Sequence, residues 1–395
     1  MGDGLNIVYH FRVRGTGAEG VHIAGISNGF GALGHRVRFV SPTGADPSVP
    51  AGAHASGGSK VSPLFWLADH LPQIFFEAME LSYNLFGTRK LMSVVRSNGP
   101  DLVYERYAFF NMAGVLVSKR FGIPFVVEVN ELSGYDRVRG QVMVPLARRI
   151  EKAVFRQADL IVVVSAFLKE KIAALIGEDH KIVVIPNGVS REWVEARFND
   201  GEMTMLRSGL GLADSRIVGF VGGLTHWHNF DFLLDMLKQL KNRYPDIVLL
   251  IVGDGPLREE IMKGAEKRQL RNAVVITGTV PHHVVRQYID LFDVAVIPHS
   301  NQYRSPIKLF EYMGAARPVV AASTEPIETV IEQGRTGYTF PPGNIQAAVR
   351  QLAAVLDDST LAAEFGDRAK DTIMRHYLWE NHAAAILSAL GLASH

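Results

Sequence analysis

Residues 305–322 read SPIKLFEYMGAARPVVAA, which joins a short apolar helix to an apolar run of the kind found in buried strands. Ser305 and Pro306 are typical of an N-cap and a first helical position. Lys308 and Glu311 stand three residues apart and therefore share one helix face. The N-terminus of such a helix offers free N–H groups that suit phosphate. The alternative interpretation is an ordinary crossover helix of an α/β sheet with a surface ion pair.

Similar alternation of apolar runs and helical patterns extends along the whole chain. The strand candidates are residues 5–11, 36–41, 102–105, 124–129, 160–164 and 182–185 in the first half, and 217–221, 248–252, 274–277, 294–297, 318–321 and 338–340 in the second. Continuous apolar strands that alternate with helices predict parallel, doubly wound sheets. Two such series predict an α/β protein with two Rossmann-like domains that face a cleft.

The domain boundary is expected in the polar, irregular stretch 190–214. We predict an N-terminal domain over residues 1–195 and a C-terminal domain over residues 196–375. The last helix, residues 376–395, is expected to join the first domain. A chain of 395 residues is too long for one ordinary core, which agrees with this division.

Composition excludes several classes of function. The formal net charge of +1 argues against a nucleic-acid binder that depends on bulk charge. The absence of Cys excludes disulfides, zinc–thiolate sites and a cysteine nucleophile, and it fits a reducing cytoplasm. The N-terminus lacks the pattern of a signal peptide, and no apolar run has the length of a membrane span. A cytoplasmic protein is expected, with peripheral contact at the inner face of the membrane left open.

A glycine-rich loop follows the first strand candidate. Gly15, Gly17 and Gly20 fit the G-x-G-x-x-G spacing, which makes a dinucleotide-dependent dehydrogenase the first rival. Such an enzyme needs an acidic residue about 20 positions further on, at the end of the second strand, to bind the ribose. That strand instead ends in the sequence FVSPT at residues 39–43, which counts against NAD.

Polar residues follow two strands of the first half. Glu128 and Asn130 stand at the end of the fourth strand, and Arg106 stands at the end of the third. Because ligands of open α/β sheets bind beyond the carboxyl ends of the strands, these side chains are expected to face the cleft. The alternative is that they only mark where each strand reaches the surface.

Glycine turns follow two strands of the second half. Gly222 and Gly223 precede a helix and form a turn that could accept phosphate, whereas the turn at Gly253 is interpreted as structural. The 14 histidines show no ligand spacing such as H-E-x-x-H, so no metal site is expected.

Two further segments of the first half have unusual composition. Residues 41–61 are rich in Gly, Ser, Pro and Ala and predict a long flexible loop. Residues 64–92 carry many large apolar side chains, which predict a pair of helices that covers the sheet. The functional alternative for residues 64–92 is an apolar acceptor groove or a contact with a membrane surface.

Several motifs, taken in this order, resemble the retaining glycosyltransferases of family 4, which have the GT-B fold. The resemblance covers nearly the whole chain. Its motifs are the glycine-rich loop through Glu19, GHRV at 34–37, ADLIVVVS at 158–165, IPNGV at 185–189, VGDGP at 252–256, the element 305–313, and Gly337 with PPG at 341–343. The implied function is transfer of a sugar from a nucleotide diphosphate sugar, with UDP favoured over GDP, to a glycan, lipid-linked or small-molecule acceptor.

The resemblance also implies roles for single residues. Glu311 would bind the ribose hydroxyls, and the backbone near Val280 would face the base. The donor diphosphate and sugar would be approached by Gly222, Gly223, His228, Gly253, Tyr303, Arg304, Ser305, Pro306 and Ile307. The acceptor side would be formed by Gly17, Glu19, Gly20 and Arg106.

This chain departs from the family pattern at four positions. A second glutamate is usual eight residues before Glu311, where Tyr303 stands here. An Arg and a Lys usually clamp the diphosphate, and their places are taken by Gly223 and His228. The histidine often found after the fourth strand is replaced by Asn130. Lys308 is therefore expected to supply the lost positive charge, with help from His228 or Arg304.

Retention without a protein nucleophile suggests a front-face displacement in which the leaving phosphate accepts the proton of the acceptor. Lys308, Asn130 and Glu128 are the candidate catalytic residues, and no cofactor or metal is expected. Two rival functions remain. One is a sugar-nucleotide epimerase of the same fold, which needs acid and base groups around the sugar. The other is a catalytically inactive GT-B module that binds a nucleotide sugar or a glycan.

Overall fold

The computed structural model describes residues 4–13, 17–42, 44, 46–47, 72–135 and 140–392. Within them the chain forms two six-stranded sheets in which every neighbouring pair is parallel. This confirms the predicted α/β fold with two doubly wound sheets. Each predicted strand is found within one residue of its expected ends.

The first sheet has the strand order β2-β1-β3-β4-β5-β6. Its strands are β1 (Asn6–His10), β2 (Arg36–Val40), β3 (Leu102–Arg106), β4 (Phe125–Val129), β5 (Leu160–Val163) and β6 (Ile182–Val184). The helices of this part are α1 (Ala18–Ala32), α2 (Gln73–Asn98), α3 (Ala113–Phe121), α4 (Val144–Gln157) and α5 (Ala166–Ile176).

The second sheet has the order β12-β11-β10-β7-β8-β9. Its strands are β7 (Arg216–Val221), β8 (Ile247–Val252), β9 (Val274–Ile276), β10 (Val294–Ile297), β11 (Val319–Ala322) and β12 (Tyr338–Phe340). The remaining helices are α6 (Arg191–Glu195), α7 (Asp200–Gly209), α8 (Phe230–Lys241), α9 (Arg258–Lys267), α10 (His282–Ile289), α11 (Ile307–Gly314), α12 (Glu325–Glu328), α13 (Ile345–Asp357), α14 (Ser359–His376) and α15 (Trp379–Ala389).

Central strands are buried on both faces because helices cover each side of the sheet. All five residues of β4 and all six of β8 are buried. This burial explains why both strands read as apolar runs rather than as alternating patterns. Polar residues at the carboxyl ends of these strands lie at the edge of the sheet where ligands of such folds bind.

The chain divides into two compact units at different residues from those predicted. Unit 1 comprises Met1–Pro186 and Trp379–His395, and unit 2 comprises Asn187–Leu378. The predicted boundary after residue 195 is wrong because the segment before it packs on unit 2. Val189 pairs with Leu378, and the indole of Trp193 donates to the carbonyl of Glu311 at 3.2 Å. The polar composition of residues 190–214 suggested a linker, and it gave no sign that Val189 and Trp193 pack on unit 2.

Helix α15 returns to unit 1 and packs on α1. Two glycines of α1 make the close approach possible: a Cβ on Gly25 would lie 2.2 Å from the Trp379 ring, and one on Gly29 would lie 2.3 Å from the Trp379 carbonyl oxygen. The contact of the C-terminal helix therefore begins at Trp379 rather than at residue 376, and it requires glycine at positions 25 and 29 of α1.

Gly29→Ala should lower the free energy of unfolding by about 1–3 kcal/mol, because the added methyl group overpacks the helix contact. Gly31→Ala on the same helix is the matched control, since its Cβ would meet nothing within 4 Å. That control should be neutral or gain up to about 1 kcal/mol from the better helix propensity of alanine. Urea denaturation of the two variants measures the difference, and equal midpoints would contradict this account of the contact.

The apolar segment 64–92 is only partly described. Residues 73–92 lie in a single helix, α2, while residues 64–71, on which the rest of the predicted pair depends, lie outside the described residues. Ile74, Phe75, Leu85 and Phe86 are exposed on α2. Most of the predicted loop 41–61, and Gly15 of the glycine-rich loop, also lie outside the described residues. No helix in the described part of the chain is long and apolar enough to cross a membrane.

Candidate functional site

The strand ends of β7 and β8 in unit 2 approach each other through two glycines. Gly222 has φ of 145° and Gly253 has φ of 142°, values that side chains rarely adopt. A Cβ on Gly253 would lie 2.2 Å from the Gly222 oxygen. A Cβ on Gly222 would lie 2.7 Å from Nζ of Lys308. Both positions therefore need glycine, and Gly222 brings bare backbone next to the Lys308 amine. Gly223 is exposed beside them.

The Lys308 amine lies on α11 without a polar partner. Its Nζ is buried and has no hydrogen-bond partner among the described residues. It lies 3.9 Å from the centroid of the Phe220 ring, a cation–π position. Burial lowers the pKa of Lys308 to about 7, while the charge of Glu311 acts in the opposite direction. Three donor hydrogens of the ammonium form are therefore available to a ligand that reaches this point.

His228 does not supply the expected positive charge. Its ring packs edge-on against Phe220 with centroids 5.1 Å apart. Burial lowers the pKa of His228 to about 2, with a smaller effect of the Lys308 charge in the same direction. His228 is consequently neutral at physiological pH and can act only as a neutral hydrogen-bonding group. The nearby charge belongs to Arg304, whose guanidinium lies 5.4 Å from the Trp227 ring centroid and 5.3 Å from that of Tyr303.

The start of α11 differs from the prediction. The helix begins at Ile307, and Pro306 rather than Ser305 is the N-cap, without a capping side chain. The Ser305 hydroxyl instead accepts a hydrogen bond from the backbone N–H of Asn187 at 3.1 Å, and the Asn187 amide donates to the Ser305 carbonyl at 2.6 Å. Ser305 is thus used to fasten the turn at Asn187, which leaves the first N–H groups of α11 without a side-chain cap.

Glu311 pairs with a histidine rather than with Lys308. Its side chain is buried, and Nε2 of His282 donates to its Oε1 at 2.7 Å. The His282 ring also stacks on Trp193, with centroids 5.0 Å apart and planes within 18°. Burial alone would lower the pKa of His282, but the hydrogen bond and charge of Glu311 outweigh it and raise this pKa. The alternative interpretation, a surface ion pair between Lys308 and Glu311, is therefore wrong.

Sequence reasoning missed His282. It begins helix α10, two residues after Val280, which is half-buried at the end of the loop that follows β9. The position beside the expected base-facing backbone was the only signal available. No spacing rule connects residue 282 with residue 311, since the contact is made by tertiary packing.

A second cluster lies in unit 1 around Glu128. This fully buried carboxylate accepts hydrogen bonds from Arg106 at 2.6 Å, Tyr104 at 2.9 Å, Tyr9 at 3.3 Å and the Asn130 amide. Burial alone would raise the pKa of Glu128, but the charges of His22 and Arg106 outweigh it and lower this pKa to about 2. Glu128 therefore cannot take a proton near neutral pH. Its role as a catalytic residue stays a prediction.

Arg106 and Asn130 are brought together by that carboxylate. Arg106 Nη1 also lies 2.9 Å from Nδ1 of His22, which α1 carries one turn beyond its start. The expected acceptor-side residues Gly17, Glu19 and Gly20 form the first turn of the same helix, with Gly17 at the N-cap and φ of 75°. The start of α1 and the ends of β3 and β4 therefore meet at one edge of the first sheet.

A third cluster lies at the same sheet edge and was not expected from the sequence. His10 and Glu105 are paired in register at the ends of β1 and β3, with His10 Nδ1 2.5 Å from Glu105 Oε2. His10 Nε2 lies 3.1 Å from the Tyr83 hydroxyl of α2, and the Gly114 N–H donates to Glu105 at 2.9 Å. Burial, with the charge of Glu105, raises the pKa of Tyr83 to about 12. This network connects α2 to the sheet.

Acidic and histidine side chains do not gather into a cation site in the part of the chain that the structure describes. No group of three or more His, Cys, Asp or Glu residues there could hold a metal ion.

Comparison with known proteins matches each half of the chain to a glycosyltransferase family model. Residues 19–193 match the model described as Glycosyltransferase Family 4, and residues 206–372 match the model described as Glycosyl transferases group 1. Together the two matches span most of the chain.

Individual relatives are similar over much of their length. Alpha-D-kanosaminyltransferase of Streptomyces kanamyceticus is 27% identical over 262 residues, which cover 64% of this chain and 67% of the relative. Glycogen synthase of Mycobacterium tuberculosis is 23% identical and covers 93% of this chain and 89% of the relative. The structure of HepE from Anabaena in complex with UDP superposes with a TM-score of 0.70 at 18% identity, covering 98% of this chain and all of HepE. That likeness establishes the GT-B fold.

Proposed function

The chain belongs to the family-4 glycosyltransferases, and from that premise we propose that it moves a sugar from a nucleotide diphosphate sugar to an acceptor with retention at the anomeric carbon. The observation that carries the proposal is the Lys308 amine, buried and unpartnered beside the bare backbone of Gly222. An anion at this point would accept hydrogen bonds from the amine and from the first N–H groups of α11, and the dipole of this helix would stabilise its charge.

A uridine nucleotide is the favoured donor. HepE, which shares the fold, was solved with UDP, and kanosaminyltransferase transfers a sugar as its name states. In this chain Glu311 would accept hydrogen bonds from the ribose hydroxyls while His282 holds it in place. The backbone near Val280 would face the base. The diphosphate would lie between Gly222, Gly253 and the turn from Ser305 to Ile307, with Tyr303 and Arg304 at the sugar end.

The proposed reaction is a front-face displacement. The bond between the anomeric carbon and the phosphate oxygen breaks, the acceptor oxygen bonds to the same face, and its proton passes to the departing diphosphate. The protein acts by positioning the reactants and by neutralising the charge that develops on the leaving group. We propose that neither metal nor cofactor takes part, so treatment with EDTA should leave turnover unchanged.

The acceptor is proposed to bind on unit 1 near Arg106, Asn130 and the first turn of α1. Arg106 and the amide of Asn130 can both donate to acceptor oxygens while Glu128 fixes their orientation. Glycans, lipid-linked intermediates and small-molecule acceptors all carry hydroxyl oxygens that can accept these hydrogen bonds. The exposed apolar residues of α2 would suit an acceptor with an apolar part.

A thermal-shift panel of UDP-, GDP-, ADP- and dTDP-sugars tests the donor. A sugar nucleotide at about 100 times its dissociation constant should stabilise the protein by about 2.7 kcal/mol. Incubation of the protein with the stabilising donor and no acceptor should give slow hydrolysis with retention of the anomeric configuration. NMR of the anomeric proton measures this hydrolysis. An epimerised nucleotide sugar would instead identify an epimerase, and binding without hydrolysis or transfer would identify an inactive module.

Glu311→Ala should weaken binding of the donor nucleotide by at least about tenfold, or about 1.4 kcal/mol, because the ribose loses its charged acceptor. His282→Leu should weaken the same binding by a smaller factor, since Glu311 then lacks the donor that orients it. His283→Leu is the matched control, because His283 is the exposed neighbour on the same helix. Isothermal titration calorimetry with UDP measures all three; unchanged affinity of Glu311→Ala would refute the ribose role.

A further inference from the structure

The Lys308 amine is buried, whereas the amine of a lysine is normally hydrated. An isolated ammonium loses its favourable hydration when it is buried, and the usual response is release of the proton. The Nζ atom has no hydrogen-bond partner among the described residues and lies 3.9 Å from the centroid of the Phe220 ring. A ring face compensates for only part of that loss. Without a bound anion, burial therefore favours the neutral amine.

Among the described residues, the neighbouring elements supply no compensating anion beyond the longer-range charge of Glu311. The end of β7 presents Phe220 and the Gly222 backbone, which carry no charge. The turn after it presents His228, which is neutral, and the loop after β10 contributes His299 and Arg304, whose charges act on His228 with the same sign as that of Lys308.

On α11 itself two ionisable side chains accompany Lys308. The Glu311 carboxylate is bonded to His282 and reaches Lys308 only through its longer-range charge. The Tyr312 hydroxyl accepts the Val221 N–H at 2.6 Å, and burial raises its pKa, so it stays protonated. No further anion among the described residues completes the surroundings of Lys308, and a diphosphate carries the required charge.

We infer that Lys308 is largely a neutral amine above neutral pH while no donor is bound, and that it then takes up one proton from solution when the donor diphosphate binds. This inference rests on the proposed function. The balance is simple: the amine gains a proton and becomes an ammonium, which then pairs with the diphosphate oxygens. Binding of the donor and charging of Lys308 are thus one coupled event, and the charge is in place before the leaving group departs.

The dependence on pH follows directly. Burial lowers the pKa of Lys308 to about 7 in the free protein, and the bound diphosphate would raise it again. Below that pH the amine is already charged, so binding takes up little proton. Above it the charged fraction falls about tenfold per pH unit, so donor affinity falls with it and the uptake approaches one proton.

Isothermal titration calorimetry of the intact protein with UDP-glucose, and in parallel with GDP-mannose, tests the inference. A sugar ester is the proper probe because the terminal phosphate of free UDP titrates near pH ~6 and would add its own proton exchange. Titrations in buffers of low and high ionisation enthalpy give the number of protons taken up. We expect close to zero at about pH 6 and close to one at about pH 8.5, with affinity falling about tenfold per unit at the alkaline end.

Three variants show where the proton goes. Lys308→Arg keeps a permanent charge, so it should bind the donor without proton uptake and with a flat pH profile. Lys308→Met should bind more weakly and also without uptake. His228→Gln removes the neighbouring titratable ring and should retain the wild-type uptake.

Two results would overturn the inference while leaving the proposed function intact. One is donor binding to the wild-type protein without proton uptake at alkaline pH. The other is undiminished uptake by Lys308→Arg. If neither nucleotide sugar binds at any pH, the proposed function itself fails, which is a different outcome.

Discussion

Lys308→Ala should lower kcat/KM for the donor at least about 100-fold, equivalent to about 2.7 kcal/mol of transition-state stabilisation. The diphosphate gains negative charge as the sugar departs, and the usual Arg and Lys of the family are replaced by Gly223 and by His228, which is neutral. Lys308 is the cation that the sequence and the structure place closest to the bare backbone of Gly222. Steady-state kinetics with the donor identified by the thermal-shift panel provide the measurement.

The loss of activity should not be accompanied by a loss of stability. Removal of an unpartnered buried amine relieves a desolvation penalty, so Lys308→Met should unfold at the same temperature as the wild type or above it. Lys263→Ala, on the exposed surface of α9, is the control for loss of a lysine as such and should retain full activity. Normal turnover of Lys308→Ala would remove Lys308 from the mechanism.

Arg106→Met should lower the free energy of unfolding by about 3–5 kcal/mol, the usual cost of leaving one partner of a buried ion pair uncompensated. The Arg106 Nη1 atom lies 2.6 Å from Oε1 of Glu128, whose side chain is fully buried. The two tyrosines and Asn130 would remain as donors, and His22 would remain as a charge that acts on Glu128. Urea denaturation at neutral pH measures the effect.

The matched control for Arg106→Met is Arg368→Met. Arg368 pairs with Glu364 on the surface of α14, where both side chains are about half exposed. Loss of such a pair costs about 0–1 kcal/mol. The double variant with Arg106→Met and Glu128→Gln should recover much of the lost stability, because the uncompensated charge is then absent. Equal unfolding midpoints for Arg106→Met and the wild type would contradict the central place given to this pair.

The Glu128 cluster also predicts an acid limit of stability. The folded protein holds the pKa of Glu128 at about 2, below its ordinary value of 4.5. The stabilising contribution is therefore fully present above about pH 4.5 and is lost as the pH falls towards 2. In Glu128→Gln this part of the acid dependence should be missing from a series of thermal melts.

Much of the fold was determined by local sequence. The strands were located within one residue because apolar runs such as 247–252 and 294–297 can be satisfied only in the interior of a parallel sheet. The order of glycine turns and strand ends then indicated the family. Local patterns suffice here because secondary structure depends on neighbours within a few residues, and those neighbours are printed in order in the sequence.

Tertiary structure alone decided which charged groups have partners. Helix geometry places Lys308 and Glu311 on one face, which left a surface ion pair as the alternative interpretation. In the structure Glu311 bonds to His282, and Lys308 has no hydrogen-bond partner among the described residues. Serine is a residue type typical of an N-cap, yet the hydroxyl of Ser305 accepts a hydrogen bond from the backbone N–H of Asn187, which stands 118 residues earlier. Burial and ionisation are set by groups that are distant in the chain, so no local pattern records them.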